Sequence, residues 1–203
     1  MNQITRDIYE NLELLPPDPQ GWGSEHRVFS DLVASTRPEV IIEVGTWKGA
    51  SAITMAKACQ SEGLNTKIYC VDTWLGAVEF WTDFAHTPER NLMQKNGYPS
   101  IYYQFLSNVV HAGFQDVIIP IPNTSAIGAK ILKSMGVKAQ FIYIDGSHDY
   151  EDVKADIRAY RELLDTGGIM FGDDFKHFAD VERAVREEVP NFELIDNNYW
   201  IAK

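Results

Sequence analysis

The chain has 203 residues, a length that favours one domain with additions over two domains. Hydrophobic residues make up 45% of it and aromatic residues 12%, which supplies an ordinary core and excludes a disordered or fibrous protein. The formal net charge of −11 repels phosphate backbones and anionic lipid. We therefore expect neither nucleic acid nor a membrane surface as a partner.

The sequence also bears on the compartment. No apolar run approaches the ~20 residues that a membrane-spanning helix requires. The acidic start lacks the basic and apolar regions of a secretion signal. The two cysteines, Cys59 and Cys70, have no CxxC spacing and are consistent with a reducing environment. These features predict a cytoplasmic protein.

Strand-like apolar runs alternate with helical segments, the pattern of a parallel sheet covered by helices on both faces. The strands are predicted at 40–44, 67–71, within 114–121, at 141–144 and at 169–172. A closing hairpin over 192–202 adds the last two strands. The expected fold is α/β: a doubly wound, Rossmann-like, mostly parallel sheet of seven strands with an antiparallel C-terminal strand.

Helical periodicity places the helices between these strands. One helix is predicted to begin at Ser24 and to stop at Pro38. Another follows a cap at 123–125 and carries Ile127, Ile131 and Met135, with Gly136 just past its end. A third carries a buried stripe that ends at Leu164.

The domain organisation has two additions to this pattern. Residues 1–38 are predicted to form a helical leading region, and 39–203 a single domain. Within that domain, segment 74–108 is too long and too aromatic for a plain connector. Its aromatic residues form either a lid or wall of a substrate site or the core of an extra helical layer. They are Trp74, Phe80, Trp81, Phe84, Tyr98, Tyr102, Tyr103 and Phe105.

The first strand leads into a glycine-containing turn, Glu43-Val44-Gly45-Thr46-Trp47-Lys48-Gly49. In doubly wound sheets, ligands bind beyond the carboxyl ends of the strands. A dinucleotide fingerprint needs a glycine where this chain has Trp47, and an indole there would obstruct a pyrophosphate. An NAD-dependent dehydrogenase is therefore disfavoured, and the order Lys48-Gly49 does not match a Walker motif.

Asp72 ends the second strand, 29 residues after Glu43. An acid at this position can accept hydrogen bonds from ribose hydroxyls. Alternatively, Glu43 and Asp72 accept backbone N–H bonds at helix starts. Several carboxylates around one cleft favour a cationic cofactor over a polyanionic one.

Three aspartates end the fourth and fifth strands: Asp145, then Asp173 and Asp174. Converging carboxylates repel one another unless they are protonated or bridged by a cation, and their oxygens suit Mg²⁺, Mn²⁺ or Ca²⁺. The alternative is that one aspartate caps the next helix while another is solvated. His148 lies three residues after Asp145 and is the candidate general base, with helix capping and metal ligation as its other roles.

These residues resemble the class I S-adenosylmethionine-dependent methyltransferases. The turn from Glu43 to Gly49 is similar to their E-x-G-x-x-x-G motif, and Asp72 matches the acid that holds the ribose. The aspartate pattern is similar to the divalent-metal site of the catechol, caffeoyl-CoA and macrocin types of O-methyltransferase. The resemblance covers about residues 40–203.

The resemblance implies that Gly45 and its neighbours approach the methionine part of the cofactor, with Asp72 at the ribose and Ser125 near the adenine. The implied cofactor contacts are Glu43, Gly45, Thr46, Trp47, Ser51, Asp72, Thr73, Trp74, Ser125 and Asp145. The implied ligands of Mg²⁺ or another divalent cation are Asp145, Asp173 and Asp174. Asp145 and His148 are the implied catalytic residues, although the catechol type has a lysine where this chain has His148.

The expected function is therefore S-adenosylmethionine-dependent O-methylation of a small molecule, assisted by Mg²⁺. Two alternatives stay open. One is a metal-independent methyltransferase in which His148 acts alone. The other is a non-catalytic module of the same fold that only binds the cofactor. A homodimer through the leading helix is also open.

Overall fold

The computed structural model describes residues 8–82 and 87–202. Its strands are β1 (Val40–Val44), β2 (Lys67–Asp72), β3 (Ile118–Pro122), β4 (Ala139–Ile144), β5 (Leu164–Gly172), β6 (Phe192–Ile195) and β7 (Tyr199–Ala202). They form one seven-stranded sheet in the order β3-β2-β1-β4-β5-β7-β6. Strands β1 to β5 pair in parallel, and β7 is antiparallel to both β5 and β6. The predicted fold, including its antiparallel C-terminal strand, is confirmed.

Helices cover both faces of this sheet. They are α1 (Val28–Thr36), α2 (Ala50–Ser61), α3 (Val78–Thr82), α4 (Ile101–Ala112), α5 (Ser125–Ser134), α6 (Tyr150–Arg161) and α7 (Ala179–Glu188), with a 3₁₀ turn at Pro88–Arg90. Helices α1, α2 and α4 contribute to one core, and α5, α6 and α7 to the other. Within the described ranges, none of the helices has the length and apolarity to span a bilayer.

The central strands are buried on both sides because each face of the sheet has its own core. In β1, Ile41 packs on the α1 and α2 side and Ile42 on the α5 to α7 side, and both are 0% exposed. Side chains alternate between faces along a strand, so Glu43 lies on the same side as Ile41. A carboxyl group on a core face requires a hydrogen-bond partner, and Ser51 donates one to Glu43.

Two of the predicted helices differ from the structure. Helix α1 begins at Val28 rather than at Ser24, whose hydroxyl donates to the carbonyl of Trp22 instead of capping a helix. Leu164 is the first residue of β5 and not the last of the preceding helical stripe, because α6 ends at Arg161.

Helix α5 buries only part of its apolar surface, with Ile131 partly packed against the core. Its buried residues are Gly128, Ala129 and Leu132, whereas Ile127 is 41% exposed. A Cβ built at Gly128 would overlap the side chain of Val71, so the helix approaches the sheet through a glycine. This close approach, rather than the largest apolar side chains, sets the buried face.

Segment 74–108 combines the two arrangements considered for it. Trp74 and Phe105 are buried with their ring centroids 4.9 Å apart, as an additional core layer requires. Trp81, Tyr98 and Tyr103 are each more than half exposed. Phe84 lies outside the described residues, as does the stretch 1–7 of the leading region. A lid role for the segment stays a prediction.

Candidate functional site

The loops after β1, β2, β4 and β5 meet at one edge of the sheet. From β1 the chain continues to β2 on one side, and from β4 it continues to β5 on the other side. Because β1 and β4 are neighbours, a crevice opens beyond their carboxyl ends. The amide of Gly45 donates to the carbonyl of Val71, and that of Asp145 to the carbonyl of Val44, at 2.9 and 2.8 Å. The sequence-predicted groups that follow these strands are therefore brought together.

Gly45 allows the loops after β1 and β4 to touch. Its φ is +80°, a conformation that favours glycine. A Cβ built at this position would overlap the carbonyl oxygen of Asp145 and lie 2.6 Å from Cα of Gly146. A side chain of any kind would therefore separate the two loops.

Asp72 organises the loop after β1. Its Oδ2 accepts hydrogen bonds from the backbone amides of Thr46 and Trp47, both at 2.9 Å, and its Oδ1 accepts one from the amide of Trp74 at 2.7 Å. This is the backbone-bonding arrangement considered as an alternative for this acid. The contact with a ribose stays a prediction.

Glu43 lies beneath that loop and is 0% exposed. Its carboxyl group accepts hydrogen bonds from Ser51 Oγ and, at 3.4 Å, from Cys70 Sγ. Burial raises the pKa of Glu43 to about 7. Trp74 is buried as well, and its indole nitrogen donates to the carbonyl of Trp47 at 2.7 Å. Because Glu43, Ser51 and Trp74 bond within the protein, their cofactor contacts stay predictions.

The leading segment is bonded to the same loop. Lys48 is buried and places its Nζ 2.6 Å from Asp18 Oδ2. The side chain of Asn108 donates to the carbonyls of Asp18 and Lys48 at 2.7 and 2.8 Å. The indole nitrogen of Trp47 donates to Gln20 Oε1 at 3.0 Å. The residues around Asp18 therefore help to hold the loop after β1 in place.

Ser125 and Thr73, the other implied cofactor contacts, lie at accessible positions. Thr73 is exposed, and its hydroxyl accepts the amide of Leu75 at 3.1 Å. Ser125 is half-buried and donates to the buried carboxyl group of Asp156. Tyr160 donates to the carbonyl of Ser125 at 2.9 Å and fixes the start of α5.

We predict that the free energy of unfolding of Asp156→Asn increases relative to that of the unsubstituted protein as the pH rises from 4 to 7. Burial raises the pKa of Asp156 to about 6, so the native state binds more protons than the unfolded state across this range. The stability contributed by the protonated carboxyl is complete below its unfolded pKa and is lost as the pH passes about 6. The difference in unfolding free energy reaches at most about 3 kcal/mol. Urea unfolding of both proteins at several pH values measures it, and a difference independent of pH would contradict the prediction.

Asp145 and Asp173 are joined by a tyrosine. The hydroxyl of Tyr143 lies 2.9 Å from Asp145 Oδ2 and 3.4 Å from Asp173 Oδ2. Loss of hydration, followed by the charges of Asp173 and Asp174, raises the pKa of Asp145 well above its ordinary value. Burial, with the charge of Asp174, raises the pKa of Asp173 to about 6. This part of the cleft would be stabilised by a positive charge.

Asp174 is paired with His148. Its Oδ2 lies 2.9 Å from His148 Nε2, and Glu79 Oε1 lies 3.7 Å from the other ring nitrogen, Nδ1. Burial alone would lower the pKa of His148, but the hydrogen bond and charge of Asp174, with the charge of Glu79, raise it. The imidazole also stacks on Phe178, with ring centroids 3.8 Å apart. The ring is thus held on three sides.

The helix-capping roles considered for these residues are not observed. The residue before α6 is Asp149, one position after His148. The residue before α7 is Phe178, four positions after Asp174. The aspartates therefore face the cleft rather than the ends of the following helices.

The chemistry of the donor set fits a divalent cation, since it consists of carboxylate oxygens. Asn198 adds an amide whose nitrogen donates to Asp173 Oδ1 and whose buried Oδ1 has no hydrogen-bond partner in the described structure. Across residues 8–82 and 87–202, however, no three His, Cys, Asp or Glu side chains are arranged to hold a metal ion. Asp174 bonds to His148 instead, and metal binding stays a prediction.

Several residues of the site were not predicted from the sequence. Tyr143 lies two positions before Asp145 and could have been found from the two-residue period of β4. Three others come from distant parts of the chain. Asn198 lies in the turn between β6 and β7, Glu79 lies in α3, and Phe178 immediately precedes α7. Nothing in their local sequence indicates that they reach the aspartates.

Comparison with known proteins bears on this arrangement. A family model described as "Methyltransferase domain" matches residues 42–175. A relative, the uncharacterized protein y4gI of Sinorhizobium fredii, is 27% identical over 158 residues. That alignment covers 77% of this chain but 15% of the relative, so the chain spans less than a sixth of the relative's length.

Solved structures share the fold. An O-methyltransferase from Bacillus cereus in complex with SAH superposes with a TM-score of 0.62 at 14% identity, over 91% of this chain and 82% of that chain. The SAH-bound methyltransferase PaMTH1 of Podospora anserina gives a TM-score of 0.61 at 10% identity, over 91% and 79%. The family match covers more than half of the sequence and confirms the resemblance to class I methyltransferases. The chain belongs to the methyltransferase domain family.

Proposed function

We propose that the protein transfers a methyl group from S-adenosylmethionine to a hydroxyl oxygen of a small molecule, with a divalent cation bound by Asp145, Asp173 and Asp174. The observation that carries the proposal is the convergence of these carboxylates beside the Gly45 loop, in a chain of the methyltransferase domain family. The SAH bound to the Bacillus cereus and Podospora anserina proteins supports the choice of cofactor.

The cofactor side of the cleft is formed by the loop after β1. Asp72 holds the amides of Thr46 and Trp47 in place, and Gly45 leaves room at the contact with the Asp145 loop. Neighbouring carboxylates favour a cationic sulfonium over a polyanionic nucleotide. Rigid placement of these groups limits the reorganisation that binding requires.

The acceptor side is formed by the aspartates and His148. When bound, the divalent cation supplies a Lewis acid that lowers the pKa of the acceptor hydroxyl, and S-adenosylmethionine supplies the methyl group. His148 takes the proton of that hydroxyl at a ring nitrogen. Asp174 and Phe178 fix the imidazole in its orientation. An acceptor with two adjacent oxygens, such as a vicinal diol or a catechol, suits this set of hard ligands.

Calorimetric titration tests the cofactor assignment. We expect the metal-stripped protein to bind S-adenosylmethionine and SAH but not NAD, because Trp47 stands where a dinucleotide-binding turn requires a glycine. A separate Mg²⁺ titration should give its own heat of binding. Binding of NAD in preference to S-adenosylmethionine, or no heat with SAH under any condition, would overturn the proposal.

A metal-independent methyl transfer is the second candidate. The pairing of Asp174 with His148, at 2.9 Å, favours it, because the pair leaves only two carboxylates free for a cation. Turnover measured with and without EDTA distinguishes the two. Loss of methyl transfer that added Mg²⁺ restores supports the metal-dependent reaction, and turnover unaffected by EDTA supports the second candidate.

A further inference from the structure

We infer that Trp22 determines acceptor specificity. Together with Trp47 and Phe80 it forms a wall, and the ring of the acceptor packs against this wall. The acceptor carries no anionic group. This inference rests on the proposed function, because the acceptor is the substrate of that same site. We call these three residues the aromatic wall.

The aromatic wall is a continuous group of rings with one open side. The centroids of Trp22 and Trp47 are 6.0 Å apart, those of Trp22 and Phe80 are 6.0 Å apart, and those of Trp47 and Phe80 are 4.9 Å apart. Trp47 and Phe80 are half-buried, whereas Trp22 is 51% exposed. Trp22 therefore packs on its two neighbours and still presents ring surface on which a further ring can stack.

Trp22 lies next to the carboxylate site. The carbonyl of the following residue, Gly23, accepts a hydrogen bond from the hydroxyl of Tyr199 at 3.1 Å. A Cβ built at Gly23 would lie 3.7 Å from Asp173 Oδ2. Trp22 is thus the chain neighbour of a glycine that lies beside a predicted metal ligand.

The other two rings are tied to the site in the same way. Phe80 follows Glu79, whose carboxylate lies 3.7 Å from His148 Nδ1. Trp47 follows Thr46, and the amides of both residues bond to Asp72. The aromatic wall therefore borders the cleft between the cofactor loop and the candidate base, where the body of an acceptor would lie.

The charges around the aromatic wall restrict the acceptor. Asp173, Asp174 and Glu79 are the carboxylates on this side. The ammonium group of the buried Lys48 is already paired with Asp18, at 2.6 Å. The guanidinium of Arg90 lies 5.9 Å from the ring centroid of Phe80, so these three carboxylates face one cation at the wall. An acceptor that carries several phosphate groups, as acyl-CoA thioesters and nucleotide-linked sugars do, would still meet an excess of negative charge. A ring with adjacent hydroxyls and no anionic substituent fits both the rings and the charges.

Three catechols of different charge test this inference: dopamine, catechol and 3,4-dihydroxybenzoate, each with the full chain, S-adenosylmethionine and Mg²⁺. We expect kcat/KM for the neutral and cationic compounds to exceed that for the anionic one by about tenfold or more. Trp22→Ala should raise KM for catechol by about tenfold, with the Kd of SAH unchanged within about twofold. Trp22→Phe should restore most of the affinity.

Trp81 supplies the matched control. It is also 51% exposed and lies on α3, but its indole nitrogen donates to the carbonyl of Leu75 at 2.8 Å. We expect Trp81→Ala to leave KM for catechol unchanged. Equal KM values for Trp22→Ala and Trp81→Ala, or a preference for the anionic compound, would overturn the inference while the proposed function stands.

Binding measurements cover the remaining outcomes. If SAH binds but no acceptor is methylated, saturation-transfer NMR of catechol on the SAH complex decides: a signal lost in Trp22→Ala supports the aromatic wall, and an unchanged signal overturns it. Absence of SAH binding would instead overturn the proposed function. The two failures are therefore distinguishable.

Discussion

Asp173→Ala should abolish metal-dependent methyl transfer, with kcat/KM reduced on the order of 100-fold or more. Asp173 and Asp145 come from neighbouring strand ends, and the hydroxyl of Tyr143 contacts both carboxylates. Its other oxygen accepts the amide of Asp174 at 2.6 Å and the side chain of Asn198. Removing this carboxylate takes away one ligand and loosens a second.

Cofactor binding should survive the same substitution. Among the described residues, the hydrogen bonds of Asp173 do not reach the loop after β1, where Asp72 holds Thr46 and Trp47. We therefore expect the calorimetric Kd of SAH to stay within about twofold of the native value, while the heat of Mg²⁺ binding disappears. Asp180→Ala, which removes an exposed carboxylate from the first turn of α7, is the matched control and should leave both heats intact.

The opposite pattern would be decisive as well. If Asp173→Ala abolishes SAH binding and the turnover of the unsubstituted protein is insensitive to EDTA, then Asp173 belongs to the cofactor site. The metal-dependent reaction would then be rejected in favour of the metal-independent candidate.

The sheet and its aspartates could be predicted because they follow from local pattern and one topological rule. Continuous apolar runs mark buried parallel strands, and the carboxyl ends of parallel strands share one edge. This is enough to bring Asp145, Asp173 and Asp174 together without any knowledge of side-chain packing. The same rule places Asp72 beside the Gly45 loop.

The parts that were missed depend on contacts between distant segments. The path of the leading segment is fixed by bonds from Asn108 to the backbone of Asp18, 90 residues away in sequence. Its course brings Trp22 beside Phe80, although neither local sequence indicates this. The pairing of Asp174 with His148 likewise depends on side-chain orientation, which the spacing of the residues does not determine.

Gly45→Ala should have the largest effect on stability, lowering the free energy of unfolding by about 3 kcal/mol or more. Two costs combine at this position. The φ of +80° disfavours any residue with a Cβ, and that Cβ would overlap the backbone carbonyl of Asp145. Backbone cannot rotate away as a side chain can, so the loops after β1 and β4 must separate. The same movement should weaken SAH binding, because it displaces the amides held by Asp72.

Gly63→Ala separates the two costs. Gly63 also has a positive φ, of +66°, but a Cβ built there meets no atom within 4 Å. Its substitution therefore measures the backbone conformation alone, about 1 kcal/mol. Urea unfolding of both variants gives the cost of the overlap as their difference.

Equal losses in the two proteins would mean that the Gly45 and Asp145 loops separate freely, and the cofactor and acceptor sides of the cleft would then be mechanically independent. A larger loss at Gly45 would instead support direct coupling of the two sides, since the overlapping atom belongs to the residue whose carboxylate faces the acceptor.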